Sequence, residues 1–194
     1  MKIILASGSP RRKEILKSLS VDFEVITANT DEDCRETDPG KYSEQLAVRK
    51  GRAVADLVGD NDALIISADT VVFIDGKILG KPKDEEDAFK MLKELSGRTH
   101  TVATGVSLIW GERSVSAYEE TDVEFADMPD DFINTYIRSG EPMDKAGAYG
   151  IQGAACMWIN GVKGDFYNVV GFPVRLFCKL LKEIGVDPLK ICNI

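Results

Sequence analysis

The stretch ALIISADTVVFIDGKIL, residues 63–79, decides the fold class. Ala63–Ala68 is apolar except for Ser67, with no polar-apolar alternation. Such a run reads as a strand covered on both faces, as in sheets layered between helices. Val71–Ile74 continues it in extended form. Asp75-Gly76 is then a hairpin turn signal, and Lys77–Leu79 a short return strand. A doubly covered strand followed at once by an antiparallel partner calls for a mixed sheet.

Working outward toward the N-terminus, Lys2–Ala6 reads as a second buried strand. Ser9-Pro10 opens a helix, with Ser as N-cap and Pro at the first helical position. Phe23–Thr27 reads as a strand and Ala28–Gly40 as a polar, acidic loop. Ser43 is the expected cap of a second helix that ends at Gly59. Toward the C-terminus, Asp84 caps a helix stopped by Ser96-Gly97. Thr99–Trp110 and Arg113–Phe125 form a long hairpin around Gly111-Glu112. Pro129–Ile137 is a helix, Ala154–Ile159 a strand, and Val174–Ile184 the last helix. The order is β-α-β-α-ββ-α-ββ-α-β-α. The expected architecture is α/β, a mixed twisted sheet flanked by helices. At 194 residues with no internal repeat or linker, residues 1–194 read as a single domain.

Composition narrows the function classes. Hydrophobic residues make up 44% and charged residues 29%, which argues against disorder. No apolar run is long enough to span a membrane. The apolar part of MKIILASGSPRRK is too short for a secretion signal, so the cytoplasm is the expected location. The 24 basic and 32 acidic residues leave a net charge of −8, which disfavours a nucleic-acid polymer as partner. Cys34, Cys156, Cys178 and Cys192 show no metal-binding spacing, and Cys156 and Cys178 read as small core hydrophobes. The single histidine, His100, excludes a zinc site built from several imidazoles. It reads as structural. A metal here needs carboxylate ligands, which points to Mg²⁺ or Mn²⁺.

Three segments carry chemistry. Ser7-Gly8-Ser9-Pro10-Arg11-Arg12 runs from a strand through a glycine turn into a helix, an arrangement that suits an anion. Arg11, Arg12 and Lys13 stand where acidic residues normally favour the helix dipole. That means either a phosphate site or a solvated basic face. Removing Arg12 should then leave the free protein no less stable. Asp69 follows the buried run and has Thr70 beside it, placing a carboxylate where α/β sheets hold ligands. Lys81 sits between Gly80 and Pro82, either as a phosphate clamp or as a surface lysine. Asp144–Gly153, DKAGAYGIQG, carries glycine at every third position from Gly147 and offers Lys145, Tyr149 and Gln152. Glycine at that density lets backbone pass close to a ligand. Glu32, in the acidic loop, could join Asp69 on a metal. Lys50 lies on the second helix beside Arg49 and Arg52, which reads as a solvated face.

Taken together, LASGSPRR (5–12), ADTVV (68–72), ILGKP (78–82), LSGRTHTVATG (95–105), DKAGAYGIQG (144–153) and NVVGFP (168–173) resemble the Maf-type nucleoside triphosphate pyrophosphatases. The resemblance runs almost end to end. It implies a fold like that of the inosine triphosphate pyrophosphatases, with two lobes around a central cleft. It implies hydrolysis of a nucleoside triphosphate to the monophosphate and pyrophosphate with a divalent cation, and a homodimer is common in the family. Asp69 matches the acidic catalytic position. Arg12, Thr70 and Gln152 match positions tied to substrate choice and resemble the dTTP/UTP subgroup. Lys50 matches a family lysine. On that reading Ser7, Arg11 and Arg12 clamp the triphosphate, Lys81 offsets developing charge, and Lys145 joins the substrate contacts. Asp69, with Glu32, holds the metal, or Asp69 takes the water's proton. Gln152 suits the uracil or thymine edge. The alternatives are a 7-methyl-GTP-type enzyme or a nucleotide-sensing regulator of cell division without turnover.

Overall fold

The computed structural model describes residues 1–31 and 34–192. In chain order the elements are β1 (Lys2–Leu5), α1 (Pro10–Ser18), β2 (Glu24–Val25), α2 (Pro39–Val58), β3 (Ala63–Ile74), β4 (Lys77–Leu79), α3 (Glu85–Leu95), β5 (Thr99–Trp110), β6 (Arg113–Phe125), α4 (Asp130–Arg138), β7 (Ile159–Lys163), α5 (Phe166–Val170), α6 (Val174–Ile184) and α7 (Pro188–Ile191). Short 3₁₀ turns cover Glu141–Asp144, Ala146–Ala148 and Ala154–Trp158. Among the described residues no helix is long and apolar enough to cross a membrane.

The described strands form one seven-stranded sheet in the order β2-β1-β3-β5-β6-β7, with β4 also on β3. β1 pairs in parallel with β2 and β3, and the remaining pairs are antiparallel. The expected mixed α/β sheet is therefore the fold. The two interruptions of βαβ order are the β3–β4 and β5–β6 hairpins.

β3 is the axis of the molecule. One edge pairs with β5 from Leu64 to Phe73. The other edge is shared: β1 takes Ala63–Ile66 and β4 takes Val72–Ile74. β1 is only four residues long and β4 only three, so neither reaches Ser67–Val71. That interval of one strand edge is left without a strand partner.

Strand alternation sorts β3's side chains between two faces. Leu64, Ile66, Ala68, Val72 and Ile74 enter the main core with Leu16 of α1, Leu92 of α3, Ile133 of α4 and Phe177 of α6. Ala63 and Ile65 pack with Val54 of α2. Fully buried side chains such as Leu16, Leu92 and Phe177 contribute about 1.5–3 kcal/mol each. α2 lies close to the sheet because glycine stands at the crossing. A Cβ on Gly105 of β5 would come within 2.3–2.4 Å of the Ser43–Glu44 backbone.

Several local expectations are corrected. α2 starts at Pro39, with the Asp38 side chain accepting from the Lys41 N–H at 2.8 Å. Asp38-Pro39 is a cap-and-first-position pair, and Ser43 instead donates internally to the Gly40 carbonyl at 2.8 Å. Ala154–Ile159 is not a strand. Residues up to Trp158 form a 3₁₀ turn, and the strand begins at Ile159. Cys156 is exposed on that turn and Cys178 only partly buried, so neither is a full core residue. The strand expected at Phe23–Thr27 shrinks to Glu24–Val25.

Candidate active site

The unpartnered interval of β3 opens onto a cavity of about 970 Å³. Ser7, Arg11, Arg12, Lys50, Asp69, Thr70, Lys81, Lys145 and Gln152 all line it. They come from segments spread over most of the sequence. Glu32 lies outside the described residues.

The alternation of β3 assigns the partners of its two polar residues. Asp69 points to the α2 side, where Lys50 Nζ is 2.6 Å from its Oδ1. Both side chains are mostly shielded, at 22% exposure for Lys50 and 12% for Asp69. Lys50 lies one helical turn beyond Leu46, on the sheet-facing side of α2. It is therefore not a solvated member of a basic face. Asp69 lies within the continuous strand β3, not at its end. What ends beside it is β1.

Thr70 points to the opposite face. Its hydroxyl is 2.9 Å from Thr104 Oγ1, the directly paired residue on β5, and Thr104 donates to the Asn168 carbonyl at 3.0 Å. Arg12 completes this group. Its Nε donates to the Gly171 carbonyl (2.9 Å). One terminal nitrogen donates to Ser7 Oγ (3.0 Å) and the Ala68 carbonyl (2.7 Å), and the other to Thr70 Oγ1 (3.0 Å). Four of the guanidinium's five N–H groups are thus used internally. Ala68 lies in the strand interval that β1 does not reach, so Arg12 supplies the donor a longer β1 would have given. Burial pulls its pKa below the usual arginine value, and Asp69 pulls it back. The expectation that removing Arg12 relieves the helix end is reversed: it is a tie between α1, β3 and Gly171.

Ser9 occupies the N-cap of α1, but its side chain makes no capping bond, and the first turn has no acidic residue. Gly8, Ser9, Pro10 and Arg11 of that end line the cavity, and the Ser9 N–H donates to Ser7 Oγ at 3.3 Å. Across the cavity, Asp144 accepts from Arg11 at 3.2 Å and from Lys145 at 2.7 Å. Burial alone would raise the Asp144 carboxyl, but the Lys145 hydrogen bond and both nearby cations hold it below the usual aspartate value. Exposed Lys81 stands at the rim, and the Gly80 carbonyl before it accepts from Gly147 N–H at 3.0 Å.

For a divalent cation, the described donor set offers the Asp69 carboxylate. Among the described residues no group of three or more His, Cys, Asp or Glu side chains could hold a metal. This fits a hard ion that takes one or two protein carboxylates and completes its shell with phosphate oxygens and water.

His100 is buried, with Nε2 2.7 Å from the Tyr149 hydroxyl. Burial lowers its pKa to about 4, against a small opposing effect of Asp122, so it is neutral near pH 7. It supports the cavity wall through Tyr149, as a structural histidine should.

The sequence profile of the family described as Maf-like protein matches residues 2–184. The chain belongs to the Maf-like family. A Thermococcus kodakarensis protein named dTTP/UTP pyrophosphatase is 50% identical over 188 residues, 96% of this chain and 98% of its own. A Bacillus cereus protein of the same name is 44% identical over 187 residues, 96% and 97% of the two chains. Among solved structures, the Staphylococcus aureus Ham1 protein aligns with a TM-score of 0.51 at 15% identity, covering 100% of this chain and 94% of its own. That last likeness concerns the fold alone.

The Maf-like chain carries two further groups at this cavity that the sequence did not single out. Asp144 bridges Arg11 and Lys145, and Glu141 lies against the glycine-rich segment. The signal for Asp144 was its place before Lys145. For Glu141 it was the glycine repeat, which announces a close neighbour without naming it.

Proposed function

We propose that this protein hydrolyses nucleoside triphosphates, dTTP and UTP foremost, to the monophosphate and pyrophosphate, in a nucleotide-pool housecleaning role in the cytoplasm. The observation that carries this reading is the lining of one cavity, which brings together the N-terminal end of α1, the cations Arg11, Lys145 and Lys81, and the Asp69–Lys50 pair. A polyphosphate is the ligand that such a set of donors suits. The named activity of the relatives, at 44–50% identity over nearly whole chains, supports the same choice.

In the mechanism, Ser7, Arg11 and the start of α1 hold the triphosphate, and Lys145 and Lys81 close on it from the other wall. Asp69, with Glu32, would hold a divalent cation, Mg²⁺ or Mn²⁺. When bound, that cation offsets charge on the phosphate oxygens and orients the attacking water. The water oxygen bonds to phosphorus as the bridge between the α- and β-phosphates breaks. In the alternative role, in which Asp69 does not ligate the cation, Asp69, oriented by Lys50, accepts the water's proton. Lys81 stabilises charge that develops on the phosphoryl oxygens. Arg12 acts by fixing Ser7 and Thr70 rather than by meeting phosphate with its full set of donors. Gln152, with a donor and an acceptor on one amide, suits the O4 and N3–H edge of uracil or thymine.

The test is pyrophosphate release measured across the common nucleoside triphosphates, with Mg²⁺ or Mn²⁺. Release greatest with dTTP and UTP is the expected result. Binding without release from any nucleotide would make the protein a sensor, and selective release from 7-methyl-GTP would reassign its base choice.

A further inference from the structure

The glycine-rich segment that carries Gln152 is held from beneath by two side chains outside it. Tyr136, on α4, donates its hydroxyl proton to Glu141 Oε1 at 2.9 Å. The same hydroxyl accepts from the Gly150 N–H at 3.1 Å. Glu141 Oε2 accepts from the Ala154 N–H at 3.4 Å. The two residues therefore grip the segment on either side of Gln152, at Gly150 and at Ala154. The turn between these points closes on itself, with Gly153 N–H donating to the Gly150 carbonyl at 3.0 Å. Ile151 is buried and Gln152 is exposed to the cavity.

The glycines make this grip possible. A Cβ on Gly153 would lie 1.7 Å from Glu141 Oε1, so any side chain there expels the carboxylate. A Cβ on Gly150 would meet the Lys145 stem at 2.7 Å. Lys145 is itself tied to the Glu141 carbonyl at 2.5 Å. Burial is the main cause that raises the Tyr136 pKa, so the phenol stays protonated and keeps donating to Glu141.

We infer that Tyr136 and Glu141 are positioning residues for base choice, acting through the height and direction at which they hold Gln152. This rests on the reading that Gln152 meets the base edge. A side chain with several rotatable bonds discriminates bases only if its backbone is fixed, since a polar contact loses most of its value when its geometry loosens.

The experiment compares kcat/KM for UTP and CTP in Tyr136→Phe, Gly153→Ala and Glu141→Gln, with Gln152→Ala alongside and a Tyr136→Phe/Gln152→Ala double variant. Tyr136→Phe keeps the ring, which stacks on Phe132 at 5.8 Å. Gly153 has ordinary φ, so alanine there adds only the clash with Glu141. The expected result is a UTP/CTP ratio lowered about fivefold or more in Tyr136→Phe and Gly153→Ala, the scale of one misplaced hydrogen bond. The change should fall on KM for UTP, with CTP turnover retained. Glu141→Gln should lower the ratio less, since its carbonyl still serves Tyr136. In the double variant, Tyr136→Phe should add nothing to Gln152→Ala. If Gln152→Ala lowers the ratio while Tyr136→Phe and Gly153→Ala turn over CTP and keep the wild-type ratio, the positioning role is wrong. If Gln152→Ala itself leaves the ratio unchanged, the base-edge reading fails and takes this inference with it. If Tyr136→Phe does not fold, Gly153→Ala and Glu141→Gln decide.

Discussion

Replacing Arg12 with alanine should destabilise the ligand-free protein, and the size of the loss follows from its four contacts. The Ala68 and Gly171 carbonyls lose their guanidinium donors at 2.7 and 2.9 Å, and both residues are buried. A buried acceptor left without a donor costs about 1–3 kcal/mol. The vacated space adjoins the cavity, so water can enter and the lower half of that range applies to each carbonyl. Ser7 and Thr70 lose a donor too, but Ser7 Oγ keeps the Ser9 N–H and Thr70 Oγ1 keeps Thr104. Against this, taking a cation from the positive end of α1 returns roughly 0.3–1 kcal/mol. The net loss is about 1–4 kcal/mol. For a chain of this size each kcal/mol lowers Tm by about 2–4 °C, so Tm should fall by about 2–15 °C. Circular-dichroism melting without nucleotide measures it. Arg12→Lys should fall between wild type and alanine, because an ammonium keeps the charge but has three donors and no planar fork. A free Arg12→Ala protein that melts at or above the wild-type temperature would show that the charge, not the hydrogen-bond set, governs this position.

Asp69→Asn should reduce pyrophosphate release by about 10²–10⁴-fold, the scale of losing a general base, with its far-UV spectrum unchanged; near wild-type release would remove Asp69 from the mechanism. Gln152→Glu replaces a donor-acceptor amide with an acceptor alone, so kcat/KM for UTP should fall about 5- to 150-fold relative to CTP, whose N4 amine can donate to it. An unchanged UTP/CTP ratio would mean that Gln152 serves the ribose, the phosphates or the fold. Gly105→Ala should push α2 off the sheet, since its Cβ would sit 2.3 Å from the Glu44 backbone nitrogen. About 1–3 kcal/mol of stability should be lost in chemical denaturation, along with turnover as Lys50 withdraws from Asp69; a fully active, equally stable variant would refute the close-crossing argument.

The legible parts of this fold are those written in local pattern. The apolar run at Ala63–Ala68, interrupted only by Ser67, the Asp75-Gly76 turn and the paired long strands around Gly111-Glu112 announce a mixed sheet from sequence alone. The illegible parts depend on what lies across the structure. That Arg12 faces inward could not be read from its neighbours, because two of its acceptors are backbone carbonyls 56 and 159 residues away. Backbone acceptors leave no mark in sequence. Lys50 looked solvated because Arg49 and Arg52 flank it, and only its place one turn from Leu46 hinted at the sheet. Ala154–Trp158 misled because a short apolar run without alternation does not distinguish a strand from a 3₁₀ turn.

The position of the site follows from strand lengths more than from any one motif. β3 has 12 residues, while β1 and β4 on its shared edge have four and three. The difference leaves Ser67–Val71 with one edge bare in the interior of the sheet, where unpaired backbone groups need partners. Arg12 meets one of them, at Ala68, and the space beyond becomes the cavity. Within this interval, alternation turns Asp69 toward Lys50 and Thr70 toward Arg12. A one-residue slip of β3 would exchange the two and set Asp69 against Thr104. The continuous register with β5, from Leu64–Trp110 to Phe73–Thr101, prevents that slip. β5 touches the cavity only at Val102, yet its pairing fixes which face of the sheet receives the carboxylate.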